Sequence, residues 1–401
     1  MKKNILGVVL FAAIVVMASS VVRAEDGSCS GGDVGYEKNF YAKSCDGNYS
    51  LNVKGRMQLR YAGEMHDDDG VANANAHSLL IRRARLDFSG NVITPDLTYD
   101  LQLDLGAIPG AADNNILYYA WMNYKVMDQF QLMGGLHKIW FNRQEITSSG
   151  KQQFVDRSLA NERFNLDRSI GVIAHGDFNG KMVEYYLSVV NGRNTRNAIN
   201  TNQELGYIGR IAFNPLGEYG YEEADVKESE DVALTFGGAG GLWHEESTVG
   251  AGVQNRVISG NADFGIKYSG FSTQGEFFLR NTQAGAASQN DMGYYVQAGY
   301  FLVPKHFEIA LRHSGLWDDT GNDGINLNMN NGSITGLGGV NDGVDETADS
   351  DNEYEYTAGL NYYFKGHDLK IQAQYSLIMD GVAGANDLVN HIAMLQTQLV
   401  F

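Results

Sequence analysis

Two neighbouring segments of this 401-residue sequence carry cationic side chains at or near every second position. In the segments 51–61 and 80–88, apolar residues occupy most of the positions in between. A period of two is the repeat of a β-strand, so the pattern predicts one apolar and one cationic face on each strand. A row of guanidinium groups suits oxyanions, because each planar group can donate two hydrogen bonds at once. The cations of the two segments are Lys54, Arg56, Arg60, Arg82, Arg83 and Arg85.

The second segment contains adjacent arginines, which interrupt a strict alternation. Its apolar face is predicted to contain Leu80, Ala84 and Leu86. Because strict alternation cannot place both Arg82 and Arg83 on the cationic face, we expect one of two arrangements. Either a β-bulge redirects one of the pair, or Arg82 lies at the rim of the sheet with its charge in water.

The same alternation continues to the end of the chain, with apolar faces five or six residues long in 97–105, 354–364 and 369–379. Such lengths are close to the about 9–11 residues of a tilted membrane strand. Strands of soluble β proteins are shorter, roughly 5–6 residues. We therefore predict a transmembrane β-barrel, with lipid on the apolar faces and a water-filled lumen on the charged faces, in preference to a soluble all-β protein.

Short and long connections alternate between the predicted strands. Seven connections on one side and eight on the other join 16 antiparallel strands, which is the arrangement of an outer-membrane barrel. The long loop 138–166 is the predicted constriction of the lumen, and an external loop is the alternative. The short connections are 93–96, 127–129, 179–181, 215–230, 269–270, 304–305 and 365–367; the long ones are 63–78, 107–114, 138–166, 192–204, 245–255, 282–291, 317–352 and 380–388.

The N-terminus has the pattern of a secretory signal peptide, with two lysines, an apolar core and small residues before Glu25. That core is shorter than the roughly 20 residues of a spanning helix. We expect residues 1–24 to be removed, 25–50 to form an irregular periplasmic segment, and 51–401 to form the barrel. The amphipathic end of the chain closes on Phe401, which resembles the assembly signal of outer-membrane proteins.

The composition limits the partners. With 48 acidic and 30 basic residues the net charge is −18, which argues against a nucleic-acid partner. Cys29 and Cys45 could form a disulfide in an oxidising compartment, and two free thiols are the alternative. The nine histidines show no metal-ligand spacing, so no metal or other cofactor is predicted.

Several of these segments resemble the phosphate-selective porin family of Gram-negative outer membranes. Lys54-Gly55-Arg56-Met57-Gln58 is similar to the first strand of the family, and Leu80 to Gly90, with its paired arginines, is similar to the second. Thr147-Ser148-Ser149 resembles the inward-folded third loop, and the stretch from Gly209-Arg210 to Pro215-Leu216 resembles the mid-chain turn. The resemblance implies a 16-stranded barrel, usually trimeric, in which phosphate passes along a ladder of arginines toward a lysine.

The resemblance also implies roles for particular residues. Arg56, Arg82 and Arg83 match ladder positions, and Asp104 matches an acidic residue near the narrowest point. Lys151 lies one position later than the loop lysine of the family. The segment 232–242, where the family has further arginines, contains no cation here.

Later strands add cations to the predicted lumen, namely Arg210, Arg280 and Arg312. Carboxylates share the same faces, so the cations could instead balance these acids, as in general diffusion porins. The acids are Asp87, Asp100, Asp104, Glu184, Glu276 and Glu308.

The sequence thus predicts a passive, anion-preferring porin that could select phosphate. A general diffusion porin, a structural or adhesive barrel, and a membrane enzyme such as a lipase are the alternatives, although His391 has no convincing serine partner. Expected partners are small anions such as phosphate, membrane lipid, lipopolysaccharide and two further copies of the chain in a homotrimer. The acidic loop 317–352 could hold divalent cations that bridge lipopolysaccharide, or be a solvated loop.

Overall fold

The computed structural model describes residues 32–66, 76–106, 116–193, 200, 204–246, 254–285, 287–318, 350–382 and 388–401. The predicted signal peptide, Cys29, the long connection 107–114 and most of the acidic loop 317–352 lie outside the described residues.

Sixteen strands, β3 to β18, form one closed antiparallel barrel. Two shorter strands, β1 (Asp33–Tyr36) and β2 (Phe40–Lys43), precede them. The barrel strands are β3 (Ser50–His66), β4 (Ala76–Val92), β5 (Thr94–Asp104), β6 (Leu117–Met127), β7 (Phe130–Lys138), β8 (Arg168–Phe178), β9 (Val183–Val190), β10 (Gly206–Phe213), β11 (Ala233–Glu246), β12 (Gln254–Tyr268), β13 (Phe271–Ala284), β14 (Ala287–Val303), β15 (Phe307–Asp318), β16 (Ser350–Lys365), β17 (Leu369–Val382) and β18 (Leu388–Val400).

The barrel closes where β18 pairs with β3. At this seam the Phe401 amide donates to the Gly55 carbonyl oxygen at 3.0 Å, and the Gly55 amide donates to that of Phe401 at 2.6 Å. The prediction of a 16-stranded antiparallel barrel is confirmed.

Two segments that were expected to lack strands contain strands among the described residues. The segment 25–50 was expected to be irregular, but β1 and β2 form a hairpin that pairs with the start of β3. A long loop was expected at 282–291, but β13 extends to Ala284 and β14 begins at Ala287. Polar and small residues suggested a loop there, whereas cross-strand pairing continues through most of them.

The two faces of β3 behave as the alternation predicts. Met57 is 47% exposed and Leu59 is 52% exposed, whereas Gln58 and Arg60 are both fully buried. The exposed apolar residues form the outer face of the barrel, which would contact lipid, and the buried polar ones point inward.

A β-bulge accommodates the adjacent arginines of β4. Gln58 pairs with Arg83 and Leu59 pairs with Ile81, which leaves Arg82 as the extra residue. The bulge therefore directs both arginines into the lumen. It also corrects one prediction, because Leu80 pairs with inward-facing Arg60 and is only 7% exposed, on the lumen side rather than the apolar face.

Two short helices, α1 (Arg143–Ile146) and α2 (Leu159–Phe164), lie in the connection between β7 and β8. Within the described residues, none of the helices is both long and apolar enough to span a membrane.

Candidate functional site

The connection between β7 and β8, residues 139–167, folds into the barrel and is called the inner loop here. Its apolar side chains pack against apolar residues on the inner wall of β9 to β15. The inward fold of this loop agrees with the position expected for the third loop, and its role as the constriction stays a prediction. The cluster contains Ile139, Phe141, Leu159, Ala160, Phe164 and Leu166 of the loop, and Val190, Ile208, Trp243, Val257, Phe278, Tyr295 and Leu316 of the wall.

A buried group of three charges holds the first part of the inner loop to the wall. Asp263 on β12 lies 2.7 Å from Arg143 of α1 and 2.7 Å from Arg210 of β10. All three side chains are at most 2% exposed. Glu276 accepts hydrogen bonds from the backbone amides of Arg143 and Gln144 at 2.8 and 2.6 Å. A carboxylate at this position satisfies amides that the first turn of a helix leaves without partners.

A second group holds α2. The carboxylate of Glu355 on β16 accepts a hydrogen bond from the Leu159 amide at 2.9 Å and another from Arg312 at 2.7 Å. Arg312 also donates to the carbonyl oxygen of Asp156 at 2.9 Å. The Arg312 charge is therefore directed at the wall and the loop backbone.

Asp156 anchors the opposite side of the inner loop to β3 and β4. Its carboxylate lies 2.7 Å from Arg60 and 3.9 Å from Arg82. Burial alone would raise the pKa of Asp156, but the charges of Arg60, Arg82 and Arg83 outweigh it and hold that pKa well below its usual range. Asp156 therefore remains charged in this contact throughout the neutral and mildly acidic range.

The connection between β10 and β11, residues 214–232, is predicted to be periplasmic; it also folds into the barrel and is called the inner turn. Ala224 packs with Phe301 and Tyr363 of the wall. Tyr219 is 6% exposed and lies with its ring 5.2 Å from the Arg143 guanidinium. The acidic composition of this turn did not indicate an inward position; its tyrosines were the available signal.

Several inward side chains of β4 to β8 and of the start of β3 are exposed or partly exposed, and we call this side of the barrel the open wall. Lys54 is exposed, and Arg56 and Arg82 are partly exposed. Partly exposed carboxylates follow on β4 and β5, namely Asp87, Asp100 and Asp104. On the facing surface of the inner loop, Lys151 and Glu162 are exposed.

Arg56 and Arg83 differ from the other arginines of the lumen. Among the described residues, neither has a carboxylate oxygen within 4.0 Å. Arg56 donates to the Ser148 hydroxyl at 3.0 Å, and Arg83 donates to the Gln58 side chain at 2.9 Å. Both guanidinium groups thus retain charge that none of the described carboxylates neutralises directly.

Arg85 is fixed by three neighbours. It lies 2.6 Å from Asp104 and donates to the Ser149 hydroxyl at 3.3 Å. The guanidinium groups of Arg85 and Arg168 each lie 3.5 Å from the centroid of the Tyr118 ring. At this distance the two groups must lie on opposite faces of the ring. The stack orders Arg85 at the edge of the open wall.

The structure divides the predicted site residues into two sets. Lys54, Arg56, Arg82, Arg83 and Lys151 have no carboxylate within 3.5 Å among the described residues. The members that pair closely with a carboxylate are Arg60, Arg85 with Asp104, Arg210, Arg280 with Asp291, and Arg312.

Sequence reasoning missed two wall carboxylates that receive the inner loop, Asp263 and Glu355, and the contact of the loop residue Asp156 with Arg60. In the alternation of their strands, Asp263 and Glu355 occupy the same inward-facing positions as the neighbouring cations. This alternation could have predicted that both carboxylates face the lumen. Phe278 was another signal, because it places an aromatic ring at an inward position between outward Phe277 and Leu279.

No group of three or more His, Cys, Asp or Glu in the described part of the chain is arranged to hold a metal ion. Cys45 is disulfide-bonded.

A closed barrel with a polar lumen narrowed by an inward-folded loop defines a porin of the outer-membrane class. Among solved structures, the outer membrane channel DcaP of Acinetobacter baumannii has a TM-score of 0.57 at 12% identity, covering 94% of this chain and 100% of that chain. The anion-selective porin from Comamonas acidovorans has a TM-score of 0.57 at 10% identity, covering 88% and 99%. The trimer form of OmpT from Vibrio cholerae has a TM-score of 0.54 at 9% identity, covering 88% and 99%. At these sequence identities, the structural similarities show a shared fold and nothing further.

An uncharacterized protein of Aquifex aeolicus (strain VF5) is 24% identical over 283 residues, which span 63% of this chain and 60% of that relative. The family model of phosphate-selective porin O and P matches residues 51–238 and 244–401. The chain belongs to the phosphate-selective porin O and P family.

Proposed function

We propose that the protein is a passive diffusion channel of the outer membrane that prefers anions, with a passage along the open wall. Anions would enter between this wall and the inner loop. Lys54, Arg56 and Arg82 of β3 and β4, with Lys151 of the loop, would replace part of their hydration shell.

One observation carries the proposal. Partly exposed Arg56 has no carboxylate within 4.0 Å among the described residues, whereas the arginines beneath the inner loop are buried and paired with carboxylates. A guanidinium group without a carboxylate partner can donate to a passing oxyanion at no cost of breaking an ion pair.

Reversal potentials in planar bilayers under a salt gradient test the anion preference, first with chloride and then with phosphate. We expect wild-type protein to be anion-selective. Arg56→Ala and Lys151→Ala should each shift the reversal potential toward cation selectivity, because each removes a cation that faces the passage.

Lys365→Ala is the matched control. Its side chain is 75% exposed at the last residue of β16, outside the passage, so the same loss of charge should leave selectivity almost unchanged. Equal shifts in Lys365→Ala and Arg56→Ala would contradict the proposed passage. Cation selectivity of the wild type would exclude the anion preference.

A general diffusion pore without phosphate specificity is the second candidate. Arg210, Arg280 and Arg312 are occupied by Asp263, Asp291 and Glu355, so only part of a ladder remains accessible. Phosphate that blocks chloride current at low chloride concentration would favour the phosphate-selective pore; parallel conduction of both anions would favour the general one.

The proposal also includes the location of the protein in the cell and its oligomeric state. The family and the barrel fold indicate the outer membrane. We propose removal of residues 1–24, which N-terminal sequencing of the mature protein tests by finding Glu25 first. We also propose a homotrimer, supported by the trimer form of the OmpT neighbour and tested by the mass of the detergent-solubilised protein.

A further inference from the structure

Glu223 lies at the point where the inner turn meets the inner loop. Its side chain is 2% exposed. The carboxylate accepts a hydrogen bond from the Gln153 amide at 2.7 Å. Three glutamine side chains also donate to it, namely Gln144 at 3.3 Å, Gln274 at 3.2 Å and Gln297 at 3.1 Å.

Only neutral groups among the described residues donate hydrogen bonds to the Glu223 carboxylate. Among the described residues, no Lys, Arg or His nitrogen lies within 4.0 Å of the Glu223 carboxylate, although Lys267 and Lys227 approach the neighbouring Glu222. A buried carboxylate without a cation is costly unless its hydrogen bonds are complete. The four donors are therefore required in their present positions.

The donors belong to separate parts of the barrel. Gln144 and Gln153 are in the inner loop, Gln274 is on β13 and Gln297 is on β14. The Glu223 amide also donates to the Lys151 carbonyl oxygen at 3.1 Å, so the turn and the loop are bonded in both directions. Lys151 is a cation of the proposed passage, so the position of Glu223 affects the passage itself.

We propose that Glu223 is the positioning residue through which the inner turn holds the inner loop and sets the width of the passage from the periplasmic side. The constriction then has two walls of different origin, a loop that enters from outside and a turn that enters from the periplasm. This inference rests on the channel function proposed above.

The first test compares the single-channel conductance of Glu223→Ala with that of the wild type. We expect a larger and more variable conductance, because four donors lose their acceptor and the turn separates from the loop. Glu230→Ala is the control, since it removes the same charge from an exposed position of the same turn. It should leave the conductance at the wild-type value.

A second test does not depend on ion flow. Ser272 is 1% exposed beneath the inserted segments and accepts a hydrogen bond from Gln153 at 3.0 Å. Ser272→Cys should react with a membrane-impermeant maleimide at least about tenfold faster when combined with Glu223→Ala, because even one lost bond to a charged group changes a local opening equilibrium by about that factor.

The outcomes are distinct. If conductance and labelling rate both equal those of the control, Glu223 does not position the turn. If wild-type protein carries no current, the channel function fails, whereas the labelling test still decides the role of Glu223. If Glu223→Ala does not fold, Glu223→Gln replaces it; it retains one acceptor oxygen, and we expect a smaller change in the same direction.

Discussion

The inner surface of the barrel has two regions with similar charges and different roles. Beneath the inner loop, Arg210 and Arg312 are each 2.7 Å from a carboxylate and are fully buried. On the open wall, Lys54 is exposed, and Arg56 has no carboxylate within 4.0 Å among the described residues. Covered cations hold the constriction in place, and uncovered cations remain available to ions. The position of the inner loop decides which role each cation has.

The largest expected effect is a loss of stability on mutation of the charged group beneath the inner loop, which we call the covered region. Asp263→Ala leaves Arg143 and Arg210 buried without their carboxylate, and removal of one partner from a buried pair costs about 3–5 kcal/mol. Urea unfolding in detergent, followed by tryptophan fluorescence, measures the free energy of unfolding.

Asp100→Ala is the matched control on the open wall. One Asp100 oxygen has no hydrogen-bond partner among the described residues, so its removal should change the free energy of unfolding by less than about 1 kcal/mol. Similar losses in the two variants would show that the covered and open regions do not differ as described.

An intermediate loss of stability is expected at Asp156, where the inner loop contacts β3 and β4 between the covered region and the open wall. Asp156→Asn should lower the free energy of unfolding by about 1.5–3 kcal/mol at pH 7, since the bond to Arg60 is charge-assisted. The pKa of Asp156 is held below its usual range, mainly by Arg60 against the effect of burial. The stabilisation is therefore present above the unfolded pKa of about 3.9 and is lost only as pH falls through the lower folded value. A difference between wild type and Asp156→Asn that disappears already at pH 5 would contradict this contact.

The smallest expected effect is a pH dependence of ion selectivity. Glu162 is exposed in the lumen, but the enclosing barrel removes much of the bulk water around it. This desolvation, with Asp156 adding repulsion, raises the pKa of Glu162 to about 7. The carboxylate gains a proton as pH falls from 8 to 6, so anion preference should increase. Reversal potentials recorded across that range measure the change, and Glu162→Gln should abolish it.

The sequence predicts the barrel well, because the contrast between lipid and water imposes a period of two on every strand. It predicts the site less well. Whether Arg312 or Arg56 remains accessible depends on contacts with individual loop residues that lie more than 90 positions away in sequence. Periodicity carries no information about such contacts, and the inward fold of the loop was expected from the family resemblance.

The alternation of apolar and polar residues also did not predict local irregularities of the backbone. The bulge at Arg82 changes the parity of β4, so Leu80 faces the lumen although its neighbours in the alternation face lipid. The acidic composition of the inner turn gave no indication that it folds into the barrel. Only the completed barrel supplies the amides of Gln274 and Gln297 that make a buried Glu223 tolerable.

The seam between β18 and β3 has a consequence for biogenesis. Gln58 and Gln398 are 340 positions apart and share a hydrogen bond of 2.6 Å. Pairing over such a separation has high contact order and forms slowly. Until β18 has been synthesised and exported, β3 has an open edge that could pair with another chain. The whole chain must therefore be kept apart from other unfolded chains during its transit, and insertion into the membrane can end only with the last strand.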